Sequence, residues 1–141
     1  MKLEISDPKN LLDISFINWL KVKIRDKIIT DINPKKLINW DNYFNQNNVY
    51  KSIYKKRIST LDIIIAGANN LDFSKSESNF MVNINHNIYT PGLDRVKIAT
   101  VCKLINFGDL ENKGYPIFTD TFDYFAENIQ TYVDRYLLGM F

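Results

Sequence analysis

Cysteine and histidine are almost absent from this 141-residue chain, which has one of each, Cys102 and His86. A lone thiol excludes an internal disulfide framework, and so few soft ligands cannot build a standard zinc site. Glycine is sparse, and Gly67, Gly92, Gly108, Gly114 and Gly139 stand apart, so no glycine-rich phosphate cradle is present. No apolar run approaches the roughly 20 residues needed to cross a bilayer. The opening Met1-Lys2-Leu3-Glu4-Ile5-Ser6-Asp7-Pro8 also lacks the apolar stretch of a secretory signal, so a soluble chain not exported by that route is expected, with no membrane partner.

What is abundant suits a packed interior. The chain is 45% apolar and 13% aromatic, enough to fill the core of one domain spanning 1–141. Its 18 Lys and Arg nearly balance 16 Asp and Glu, which disfavours a strongly basic nucleic-acid binder. The balance hides a polarity, since residues 1–60 carry 12 basic and 6 acidic residues and residues 61–141 carry 6 and 10. Opposite patches of this kind can steer identical subunits into head-to-tail association; a lysine-rich helix and a separate acid-rich helix would give the same arithmetic.

Ile17, Leu20, Ile24 and Ile28 recur at spacings of three and four, which predicts an amphipathic helix over about 14–31 with Asp13 as N-cap and Asn33-Pro34 as its stop. Residues 33–57 read as an irregular connector with one helical turn. The β-branched run from Arg57 to Ala66, ending at Gly67, predicts a strand. Phe80, Val82 and Ile84 alternate with polar residues and predict a second strand, antiparallel to the first, so that 67–92 forms a projecting hairpin or arm. Ile98, Val101, Cys102 and Ile105 fit a short helix from near Asp94 to Gly108, although Val96, Ile98, Thr100, Cys102 and Leu104 also alternate as a strand would. Asp109 to Gly114 is a polar loop. Phe122, Phe125, Ile129, Tyr132 and Tyr136 share one face of a helix of about five turns, capped by Asp120 and stopped by Gly139. Terminal helices around a small antiparallel sheet make an α+β two-layer domain.

No residue pattern names a chemistry. His86 has no serine or cysteine at a motif spacing, Cys102 falls on an apolar face, and Asp62, Asp72 and Asp94 form no calcium loop, so no catalytic, cofactor or metal residue is assigned. Lys51, Lys55, Lys56 and Arg57, interleaved with Tyr50 and Tyr54, could contact phosphates and stack on bases, or could be a solvated turn. A small nucleic-acid-binding or regulatory protein using that cluster is the alternative function.

From Val49 onward the order of signals resembles the tail-completion and head-tail joining (neck) proteins of long-tailed bacteriophages. Val49-Tyr50-Lys51-Ser52-Ile53 is similar to the family's leucine-x-x-serine-isoleucine segment. Ile105-Asn106-Phe107-Gly108 is similar to its valine-glutamate-phenylalanine-glycine turn, and Tyr115-Pro116-Ile117-Phe118-Thr119-Asp120-Thr121-Phe122 to the stretch leading into its C-terminal helix. Asn106 stands where the family has an acid, and Asp109 where it has a threonine. The resemblance implies a non-enzymatic ring subunit, hexameric or dodecameric, at the neck or tail end of a virion assembled in the host cytoplasm. Its implied neighbours are portal or adaptor and tail-tube or tail-terminator proteins; a weak contact with DNA, or with an acidic partner, would come from the cluster Lys51, Lys55, Lys56 and Arg57. Asn106, Phe107, Gly108, Asp109, Tyr115 and Pro116 are then the candidate subunit-interface residues.

Overall fold

The N-terminal amphipathic helix forms over the expected residues. In the computed structural model, which describes residues 1–46 and 57–139, α1 (Ile14–Asp31) buries Phe16, Ile17, Leu20, Ile24 and Ile28. Asp13 caps it, its carboxylate accepting the Phe16 amide at 2.9 Å and so satisfying a donor that the first turn leaves unpaired. Before it runs β1 (Leu3–Ser6), a strand not expected from the sequence, with Leu3 and Ile5 buried and Glu4 and Ser6 exposed. Asp7 joins the two: it is buried, and its carboxylate accepts the Leu11 and Leu12 amides at 2.9 and 3.0 Å, which offsets its desolvation.

The connector is more regular than expected over 34–46, residues 47–56 lying outside the described residues. Pro34–Leu37 is a 3-10 turn, and α2 (Ile38–Gln46) buries Trp40 and Phe44, whose rings lie 5.7 Å apart.

The segment expected as the first strand is instead a helix, α3 (Thr60–Asn69). The Ser59 hydroxyl accepts the Asp62 amide at 3.2 Å, and the Asp41 carboxylate accepts the Thr60 amide at 2.8 Å, so the first turn is capped twice. Ile63, Ile64, Gly67 and Ala68 are buried along one side. β-branched residues cost a helix only tenths of a kcal/mol each, whereas burying an isoleucine yields about 1.5–3 kcal/mol. Packing against α1 and against α4 (Ile98–Phe107) therefore overrides the strand preference.

The sheet is built from β1 with β2 (Leu71–Ser76) and β3 (Asn79–Ile84), in the order β1-β3-β2 and antiparallel throughout. β3 is the expected alternating strand, but its neighbours are β1 and β2 and not residues 57–66. Residues 71–84 do form a hairpin. The register Leu3↔Val82↔Phe73, Ile5↔Phe80 and Leu71↔Ile84 puts its apolar side on the core. A second hairpin pairs β4 (Tyr89–Thr90) with β5 (Leu93–Lys97) across Gly92. Both alternatives for residues 94–106 hold in part, since the strand runs to Lys97 and α4 follows it. Gly108, at φ +74°, ends α4 as expected and donates its amide to Leu104 O at 2.7 Å.

The single C-terminal helix expected is two, α5 (Ile117–Glu127) and α6 (Ile129–Leu137). They part at Asn128, whose backbone (φ −110°, ψ 14°) leaves the helical region, while its amide and its Nδ2 both donate to Tyr124 O, at 3.1 and 2.8 Å. Asp120 is not the cap, because α5 starts at Ile117 and Asp120 falls in its first turn. α1 is the central element, packed against α3, α5 and β2, while α5 also packs on β1.

Candidate functional site

The turn between α4 and α5 begins at a buried asparagine. Asn106 is 2% exposed; its Nδ2 donates to Thr119 Oγ1 at 2.6 Å, and its Oδ1 accepts the Phe118 and Thr119 amides at 3.1 and 3.0 Å. α5 has no side-chain cap of its own, so Asn106 supplies from a neighbouring helix what an N-cap residue supplies locally. Among the six candidate interface residues it is thus an internal brace and offers no surface to a neighbouring subunit.

The following residues are tightly tied. A β-bridge joins Gly108 to Lys113, and the Asp109 amide donates to Asn112 O at 2.9 Å. A Cβ at Gly108 would collide with Asn112 O and Gly114 N, so this approach requires glycine as well as the positive φ. The Asp109 carboxylate accepts the Glu111 and Asn112 amides at 2.9 and 2.7 Å and Asn112 Nδ2 at 3.2 Å. These donors, the Glu111 amide first, hold its carboxyl below the usual range. At the tip of the turn Leu110 is 106% exposed, and Phe107 at its base is 56% exposed.

Tyr115 docks the turn on the rest of the molecule. Its amide donates to Ile105 O at 2.7 Å, and its hydroxyl accepts the Asn33 amide at 3.0 Å and lies 3.4 Å from Asp31 O. The turn therefore sits at the C-terminal end of α1. Beside it a groove of about 820 Å³ runs between α2 and residues 111–116, with Tyr43, Asn112 and Tyr115 in its walls and Pro116 at its exposed edge. Burial, then the charges of Asp109 and Glu111, raise the Tyr43 phenol above its ordinary value. The structure thus gathers Phe107, Gly108, Asp109, Tyr115 and Pro116 around one turn. Leu110 was missed, and its signal was available: a solitary leucine inside an otherwise polar loop.

The other described residues singled out in the sequence, Arg57, Cys102 and His86, lie on separate elements. Arg57 is exposed just before α3, while Lys51, Lys55 and Lys56 lie outside the described residues. Cys102 is fully buried with its Sγ 3.8 Å from Ile63 O, and burial pushes its thiol up to about 12. His86 is exposed after β3, its Nε2 3.5 Å from Asn83 Nδ2. Among the described residues no group of three or more His, Cys, Asp or Glu side chains is placed to hold a metal ion, and no helix is long and apolar enough to cross a membrane.

Comparison with protein-family models, with curated proteins and with solved structures finds no match to this chain.

Proposed function

We propose that this chain is a structural subunit of a tailed-bacteriophage virion, a tail-completion or head-tail connector protein that assembles into a hexameric or dodecameric ring. Its role is mechanical and not catalytic. The observation that carries this reading is the braced turn. Phe107, Gly108, Asp109, Tyr115 and Pro116, which the resemblance nominates, surround a leucine displayed wholly to solvent on a backbone held by hydrogen bonds. A rigid turn that spends its order on exposing an apolar side chain suits a surface awaiting another chain, because docking then freezes little. The partners in this reading are further copies of the chain, with portal or adaptor proteins on one side and tail-tube or tail-terminator proteins on the other.

Mass spectrometry of purified virions tests it. The chain should be present at a copy number matching one ring per particle. Its absence from complete particles, in cells that make it, overturns the assignment.

A further inference from the structure

We propose that α6 is an exchangeable arm, which leaves its seat on α1 to fill the equivalent seat of a second copy of this chain. The proposal rests on the ring-subunit reading and names the contact that passes from copy to copy. The structure itself defines the occupant, because residues 129–137 of the same sequence already fill that seat. The Tyr136 ring meets Phe16 edge-on at 5.2 Å and lies 5.6 Å from Trp19, while the Tyr132 ring lies 6.2 Å from Trp19 and 4.7 Å from Phe125. An identical arm from another copy reproduces these contacts ring for ring. The balance between closed and exchanged forms is then set at the hinge and by concentration, which is why such swaps are a low-cost route to association.

Three observations make the arm separable. It is lightly seated: Tyr132 is the one buried residue of α6, its hydroxyl lies 3.4 Å from Tyr124 Oη, and the Tyr136 hydroxyl lies 3.4 Å from Asp13 Oδ1, both long for hydrogen bonds between oxygens. Beneath it, Trp19 Nε1 is buried without a hydrogen-bond partner among the described residues, a penalty that undocking relieves by admitting water. The hinge is a single residue. Asn128, at φ −110° and ψ 14°, stands only about 50° in each angle from the values of an α-helix. Straightening it joins α5 to α6 in one helix, and this is the form that the sequence pattern describes. Phe122, Phe125, Ile129, Tyr132 and Tyr136 fall on one face at helical spacing, a stripe that the bend interrupts and a continuous helix restores. Such a helix from Ile117 to Leu137 runs about 31 Å. It carries Tyr132 and Tyr136 away from their own α1 and leaves that seat empty for the arm of a neighbour.

Cross-linking between isotopically distinct chains decides where the arm sits. Heavy-nitrogen and ordinary chains carrying Tyr136→p-benzoylphenylalanine are unfolded, mixed, refolded and irradiated, and mass spectrometry traces position 136 to the Phe16–Trp19 segment. In the assembled fraction these links should join heavy chains to ordinary ones, and the monomer fraction, which links only within a chain, is the control. The hinge gives a second readout that needs no cross-linker. In sedimentation, Asn128→Ala should associate about fivefold more tightly than Asn128→Gly for each hinge straightened, since a helix interior prefers alanine to glycine by that factor. Assemblies whose links stay within one chain overturn the exchange while leaving the ring-subunit reading standing. Equal association of the two hinge variants overturns it too, as does a wild-type chain that is monomeric at every concentration. The virion copy number judges the ring-subunit reading independently of these outcomes.

Discussion

Asn106 holds α5 by three hydrogen bonds from outside that helix, and none of its partners lies within ten residues in the chain. Asn106→Ala strips two amides and a hydroxyl of their partner in a buried setting, and should cost about 1–3 kcal/mol in urea denaturation; a change within a few tenths would contradict the bracing role. Gly67 makes the opposite point about local preference. Alanine there would gain up to about 1 kcal/mol of helix propensity, but its Cβ would stand 2.7 Å from Cys102 Sγ and 3.1 Å from Phe118 Cζ. Overpacking of that kind costs about 1–3 kcal/mol, so Gly67→Ala should lower the denaturation midpoint, and a rise would show that α3 and α4 have room to spare. Asp13 and Gly108 were legible because each acts within its own element, and Cys102 because its place on the apolar face of α4 marks it for burial. Asn106 was not, since the chain alone does not show which distant amides it faces.

Elements were legible where one periodicity dominates. α1 repeats its apolar residues over five turns and matched from cap to stop, and β3 matched because a period of two admits no other face. Residues 57–66 failed because an isoleucine-rich run satisfies a buried helix as readily as a strand, and only packing decides between them. β1 was missed although Leu3 and Ile5 alternate with Glu4 and Ser6, because two apolar residues are too few to stand out without β3 beside them. The C-terminal break escaped because it lies in the backbone of Asn128, a residue that is also acceptable inside a helix. Of the candidate site, the position of the turn was readable from its glycines, and its rigidity was not. That rigidity rests on the Asp109 carboxylate. Asp109→Ala should speed amide hydrogen exchange at Glu111 and Asn112 by about tenfold, the loss of roughly one hydrogen bond, while leaving α4 and α5 protected; unchanged exchange would contradict the brace.

At the scale of the whole molecule, α1 acts as a strut with α3, α5 and β2 packed against it. Its interior also sets a pH response. Burial pushes Cys102 from 9.0 up to about 12, and burial together with the Tyr124 hydroxyl pushes Tyr132 from 10.0 up to about 12. Both folded values exceed the unfolded ones, so the stability they contribute is complete below about pH 9 and is lost as pH rises towards 12. Thermal midpoints should fall steeply above pH 9, and Cys102→Ala should flatten the first part of that fall; a midpoint level to pH 11 would contradict it. The most direct measurement is the mass of the purified chain by light scattering over a wide concentration range, alone and with proteins of the adjoining virion shells. A closed assembly whose mass stops growing at a fixed multiple of one chain is the expected result, and a single-chain mass under every condition would contradict it.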